Sequence, residues 1–216
     1  MPSLTDKVNK VPPGLGEEKE QRQDNTFSNQ ILILFSAPLL TEDSSPVENL
    51  SIKKEIDAIV EVLEDISHPI AMEIVVKVAT SQTLQDAFAS RMKPLIIHFI
   101  GHGTREGDGT ALVLEDEVGM ARAFSEEELE IALSNHKKYP CQLALLNACH
   151  SEKLAESFIT VGVDHVIAVN AEDKILDLAT RCFSRRLYQG LFNQDAVADS
   201  FLVSMLHLKI NGEKMI

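Results

Sequence analysis

The sequence predicts an α/β fold built on a mostly parallel sheet. Its most apolar stretches are short and unbroken: ILILF (31–35), LIIHFI (95–100) and QLALLN (142–147). Runs of strand length that are apolar at nearly every position fit parallel strands covered on both faces. These runs alternate with segments whose apolar residues recur at helical spacing. An order of strand, helix, strand, helix, strand points to a doubly wound sheet with right-handed crossovers.

Residues 1–29 are polar, carry Pro12, Pro13, Gly14 and Gly16, and show no period, which reads as a flexible extension or linker. The folded domain is expected over 30–216, with its first strand opening at Ile31. In 47–66, Leu50, Ile56, Ile59, Val60, Leu63 and Ile66 fall at helical spacing. MEIVVKVA (72–79) reads as a strand, and a short helix with Leu84, Ala87 and Phe88 leads to Pro94 and the 95–100 strand. TALVLED (110–116) and VGMARAF (118–124) form an expected hairpin, after which Ser125 can cap a helix with Glu128 in capping-box register. A helix over 151–162 closed by Gly162, a strand over 164–170 and helices around 174–190 and 194–209 complete the reading. No internal repeat is present.

Length and charge exclude several functions. A chain of 216 residues accommodates one α/β domain with a full core. A net charge of −13 opposes binding to nucleic-acid phosphates or anionic lipid, because either partner needs a basic face to replace its counterions. No apolar run approaches the roughly 18 residues of a transmembrane helix, and no apolar h-region marks a signal peptide, so a cytoplasmic protein is expected. The three cysteines, Cys141, Cys149 and Cys182, form no CxxC pair, which favours neither a disulfide framework nor a thiolate metal site.

In open parallel sheets, ligands bind beyond the carboxyl ends of the strands. The 95–100 strand runs into Gly101-His102-Gly103, and the 142–147 strand into Ala148-Cys149-His150-Ser151. If the two strands are neighbours, an imidazole and a thiol face one another across one cleft. Cysteine hydrolysis needs such a pair: a thiolate nucleophile, and a base that takes the thiol proton and returns it to the leaving amine. Cys149 is expected at the start of the following helix, whose dipole would favour the thiolate. The backbone N–H groups of Gly103 and Cys149 would serve as the oxyanion hole.

The same residues carry a family resemblance. IIHFIGHG, then ALVLED, then LALLNACHSEKLAESFITVGVDHVIAVN, and finally the D-x-A-T element of DLATRCFSRRLYQGL resemble the CHAT domain, a caspase-like cysteine peptidase group related to separase and the caspases. The resemblance implies a caspase-like three-layer α/β/α sandwich with His102 as general base and Cys149 as nucleophile. It further implies a protein or peptide substrate and no metal or organic cofactor. The LNAC-x-SE form is similar to short members tied to prokaryotic conflict and programmed-death systems, where an adaptor or effector-associated protein is the expected partner. A catalytically silent, partner-binding adaptor is the alternative.

Neighbouring residues admit two readings each. His98, four before His102, reads as a core histidine. His150 could orient substrate or point away from Cys149 as adjacent residues do. Asp177 could bind a basic substrate side chain or supply charge at a helix N-terminus. Glu126, Glu127, Glu128 and Glu130 read as a solvated helix face, and Asp108 and Asp116 are too few to hold calcium.

Overall fold

The structure is a computed structural model that describes residues 28–66, 71–88, 94–106, 109–134, 141–170 and 177–211. Five parallel strands form the main sheet: β1 (Ser28–Phe35), β2 (Glu73–Val78), β3 (Pro94–Ile100), β7 (Leu143–Asn147) and β8 (His165–Ala168), in the order β2-β1-β3-β7-β8. A three-stranded antiparallel sheet lies between β3 and β7 in the chain: β4 (Gly103–Glu106), β5 (Gly109–Glu115) and β6 (Ala121–Ser125). The helices are α1 (Ile52–Glu64), α2 (Ser81–Phe88), α3 (Glu126–Ser134), α4 (Leu154–Thr160), α5 (Asp177–Phe192) and α6 (Val197–Asn211).

Unbroken apolar strands are explained by helices on both sheet faces. Because side chains alternate along a strand, Leu32, Leu34, Ile97, Phe99, Ala144 and Leu146 pack with Leu84, Phe88, Leu129, Leu133 and Phe158 of α2, α3 and α4. The intervening Ile31, Ile33, Ile96, Ile100, Leu143 and Leu145 pack with Ile59, Val62, Phe183, Leu187 and Tyr188 of α1 and α5. Each Leu, Ile, Val or Phe side chain taken fully from water here contributes about 1.5–3 kcal/mol. From β1 the chain steps outward to β2, then returns to the other side of β1 as β3. The winding direction therefore reverses between β1 and β3, the position at which crevices open in sheets of this kind.

Local chemistry sets the boundaries. The capping box forms as read: Ser125 Oγ accepts the Glu128 N–H at 3.2 Å and Glu128 Oε2 accepts the Ser125 N–H at 3.0 Å. Gly162 ends α4 at φ 95°, and the Val163 N–H returns to the Phe158 carbonyl at 3.2 Å. Asp116 Oδ1 accepts the N–H groups of Val118 and Met120, closing the β5–β6 turn. Three details differ from expectation. β1 takes in Ser28 and Asn29, with an irregularity between Ser28 and Ile31. Helix α1 starts at Ile52 rather than 47, because the Val47 N–H is bonded to the Leu39 carbonyl in the preceding loop. β4 was not anticipated, since GTRE carries no apolar alternation. Of the expected extension over 1–29, Ser28 and Asn29 belong to β1, and residues 1–27, like the first residues of the 174–190 helix, lie outside the described residues.

Candidate active site

β3 and β7 are hydrogen-bonded neighbours with Ile100 opposite Asn147, and the Gly101 N–H continues the pairing to the Asn147 carbonyl at 3.2 Å. His102 and Cys149 each lie two residues beyond that matched pair, so both leave the same rim of the sheet. The two loops touch. A β-carbon built on Gly103 would overlap the Cys149 carbonyl oxygen outright and lie 2.9 Å from its carbonyl carbon. Only glycine permits this approach.

His102 is oriented by the loop that leaves β1. Its Nε2 lies 2.7 Å from the Glu48 carbonyl oxygen. A carbonyl only accepts, so Nε2 carries the proton and, in the neutral ring, Nδ1 is the basic atom. That loop is fastened in turn: the Ser36 N–H bonds the Ile100 carbonyl at 2.9 Å, the Ala37 N–H bonds Glu115 Oε1 at 2.8 Å, and Ser44 takes a left-handed φ of 63° in the turn between Thr41 and Ser45. Thr41 and Ser45 hydrogen-bond Asp43, holding its carboxyl below the ordinary value. A groove of about 350 Å³ runs between the loop and the small sheet, lined by Glu42, Asp43, Val47, His102, Thr104 and Val113 among others. It sits where the sheet's winding reverses.

Cys149 is a free, partly exposed thiol in a tight turn. His150, partly exposed beside it, has a left-handed φ of 60°. Buried Ser151 fixes the far side: its hydroxyl donates to the Leu146 carbonyl at 3.2 Å and accepts the Val169 N–H at 3.0 Å, while the Glu152 N–H bonds the Val169 carbonyl at 2.9 Å. These bonds to the end of β8 postpone the helix. α4 begins only at Leu154, so Cys149 is not in its first turn, and the dipole support expected from the sequence is absent. Cys141 offers a contrast: burial pushes its thiol up to about 12.

Gly103 has a second property. The Val113 N–H bonds the His102 carbonyl at 2.9 Å, which makes Gly103 and Leu112 a non-hydrogen-bonded pair of the β4–β5 ladder. The Gly103 N–H is thus left unengaged by that ladder, one residue from His102. Asp177 opens α5, in which Ala179 and Thr180 line a small cavity with Asn147 and Val169 at the same rim. Among the described residues no group of three or more His, Cys, Asp or Glu side chains could hold a metal ion.

Beneath the rim lies a polar cluster that the sequence reading missed, apart from His98. Glu55 of α1, His98 of β3, Asn147 of β7 and Ser184 and Tyr188 of α5 are all buried. Asn147 Nδ2 donates to Glu55 Oε1 and lies 2.9 Å from both His98 Nε2 and Ser184 Oγ. The Ser184 hydroxyl donates to Glu55 Oε1 at 2.7 Å, and Tyr188 Oη lies 3.3 Å from His98 Nδ1. Burial alone would raise the Glu55 carboxyl, but the hydrogen bond and charge of His98, with Ser184 and Asn147, hold it below its ordinary value. Burial, with Glu55 nearby, drives the Tyr188 hydroxyl well upward. One signal was available: Glu55 shares the face of α1 that buries Ile52, Ile59 and Val62, where a lone carboxylate demands partners.

The fold is thus a parallel α/β sheet with a histidine and a cysteine at the exits of adjacent strands. The chain belongs to the CHAT domain family, whose model matches residues 8–208 and so takes in nearly the whole sequence. That family is related to caspase-like proteases. A search of curated proteins returned no match. No described helix is long and apolar enough to cross a membrane.

Proposed function

We propose that the protein is a caspase-like cysteine endopeptidase with a His102–Cys149 dyad. The observation that carries the reading is the hydrogen bond from His102 Nε2 to the Glu48 carbonyl, which leaves Nδ1 as the base at the rim Cys149 shares. Nδ1 takes the Cys149 proton, and the thiolate attacks the scissile carbonyl. The tetrahedral oxyanion is received by the backbone N–H groups of Gly103 and Cys149. The imidazolium then protonates the departing amine, and water, deprotonated by the same ring, hydrolyses the acyl-enzyme. This sequence of steps uses no metal or organic cofactor. With no helix dipole at Cys149, ionisation of the thiol falls mainly to His102.

The groove beside His102 receives the substrate chain on one side of the cut, and Glu42 and Asp43 make its wall favourable to a basic side chain. In this reading His150 and Asp177 supply further contacts to substrate. The protein works in the cytoplasm on a protein substrate, in a signalling, conflict or programmed-death pathway.

A peptide-library cleavage assay, with Cys149→Ala as the blank, tests the reading. Cleavage by the native chain and none by the variant is the expected outcome. Cleavage surviving in Cys149→Ala overturns it, and cellular function undiminished in that variant would assign the protein to the adaptors instead.

A further inference from the structure

We infer that Asn147 is a positioning residue for the dyad, acting through the buried cluster to hold the exits of β3 and β7 in one geometry. The inference rests on the reading of His102 and Cys149 as an acid–base pair.

Three facts converge on this residue. Its main-chain carbonyl accepts the Gly101 N–H, one residue before His102. Its side chain reaches back to His98 on the same strand, four residues before His102. Its own chain continues through Ala148, also buried, to Cys149. One residue therefore touches the histidine's strand twice and leads directly into the nucleophile's turn.

The amide is itself immobilised. Its Nδ2 lies within hydrogen-bond distance of three atoms, Glu55 Oε1, His98 Nε2 and Ser184 Oγ, from three different elements. Ser184 ties back to Glu55, so a displacement of Asn147 strains every member. A stability requirement alone would be met more cheaply by apolar side chains here, because each polar group must be desolvated. The cluster lies among Ile100, Leu145, Leu187 and other apolar residues, at the end of the sheet that carries His102 and Cys149. What a polar network adds over apolar packing is direction, since a hydrogen bond fixes angle as well as distance. On the far side of the turn Ser151 performs the matching attachment to β8. The nucleophile is thus suspended between two anchored residues.

The test is the pH profile of Cys149 alkylation by iodoacetamide, followed by mass spectrometry on the full chain, in the native protein, Asn147→Ala, Ser184→Ala and Leu208→Ala. Leu208 is buried in α6 outside the cluster and reports the effect of lost stability alone. Asn147→Ala is expected to lower the neutral-pH rate at least about tenfold, through misplacement of the base, and to move the profile toward that of His102→Ala. Ser184→Ala, the milder change, should shift in the same direction, and Leu208→Ala should follow the native curve. Should Asn147→Ala fail to fold, Ser184→Ala decides alone. A folded Asn147→Ala, or in its absence Ser184→Ala, with a native profile overturns the inference, as does an equal shift in Leu208→Ala. A native profile that is unaltered by His102→Ala would instead overturn the dyad, and this inference with it.

Discussion

Gly103→Ala is the substitution for which the structure sets the clearest magnitude. The added methyl group would occupy the place of the Cys149 carbonyl oxygen, with that residue's carbonyl carbon 2.9 Å away and its nitrogen 3.4 Å away. The obstruction is backbone, which cannot swing aside as a side-chain tip can. One loop must retreat from the other by about an ångström, and a misplacement of that size at a reacting centre costs about a hundredfold in rate. Overpacking of this kind also costs about 1–3 kcal/mol of stability. Both losses are measurable separately: kcat/KM on the best library peptide for the first, urea melts for the second. The variant should remain folded, with its Cys149 labelling slowed in parallel with catalysis. A Gly103→Ala protein with native kcat/KM would refute the contact between the two loops and the oxyanion role assigned to the Gly103 N–H.

Other consequences are separable. In native protein at pH 8, iodoacetamide should modify Cys149 and leave Cys141 untouched until denaturant is added, because burial holds the Cys141 thiol near 12; equal labelling of both would contradict the packing. Glu55 is held below its ordinary value of 4.5, so its contribution is present above that pH and lost as pH falls through the folded-state value. Glu55→Gln should therefore cost about 1.5–3 kcal/mol at pH 7, the worth of hydrogen bonds to a charged group, and flatten the acid limb of the stability curve; parallel curves between pH 3 and 7 would exclude this. Ser125→Ala should lose about 1 kcal/mol through the capping box and leave catalysis unchanged. Urea titration measures it, and a neutral result would mean that Glu128 alone caps α3.

How far the residues themselves disclosed this arrangement differs by element. β1, β3 and β7 were legible because both of their faces are covered, which forces continuous apolar runs. Ser125 with Glu128, and Gly162 at its helix end, were legible because caps depend on a few neighbouring atoms. His102 and Cys149 stood out as polar residues at two successive strand exits, 47 residues apart. What stayed hidden depends on distance in the chain. Glu55 and Asn147 are separated by 92 positions, and nothing local to either announces the other. The Glu48 carbonyl is a backbone group, and every residue has one, so its role belongs to the loop's path rather than to its composition. The late start of α4 was misread for a related reason: SEKLAESF has helical spacing from Ser151, but bonds to Val169 hold its first residues out of the helix.

The dyad is tested most directly by the rate of Cys149 alkylation between pH 5 and 10, in the native protein and in His102→Ala. Native protein should be alkylated about a hundredfold faster than the variant at neutral pH, the effect of a positioned base on the thiol proton, with the variant's fold intact by circular dichroism. Superimposable profiles in the two proteins would contradict the account.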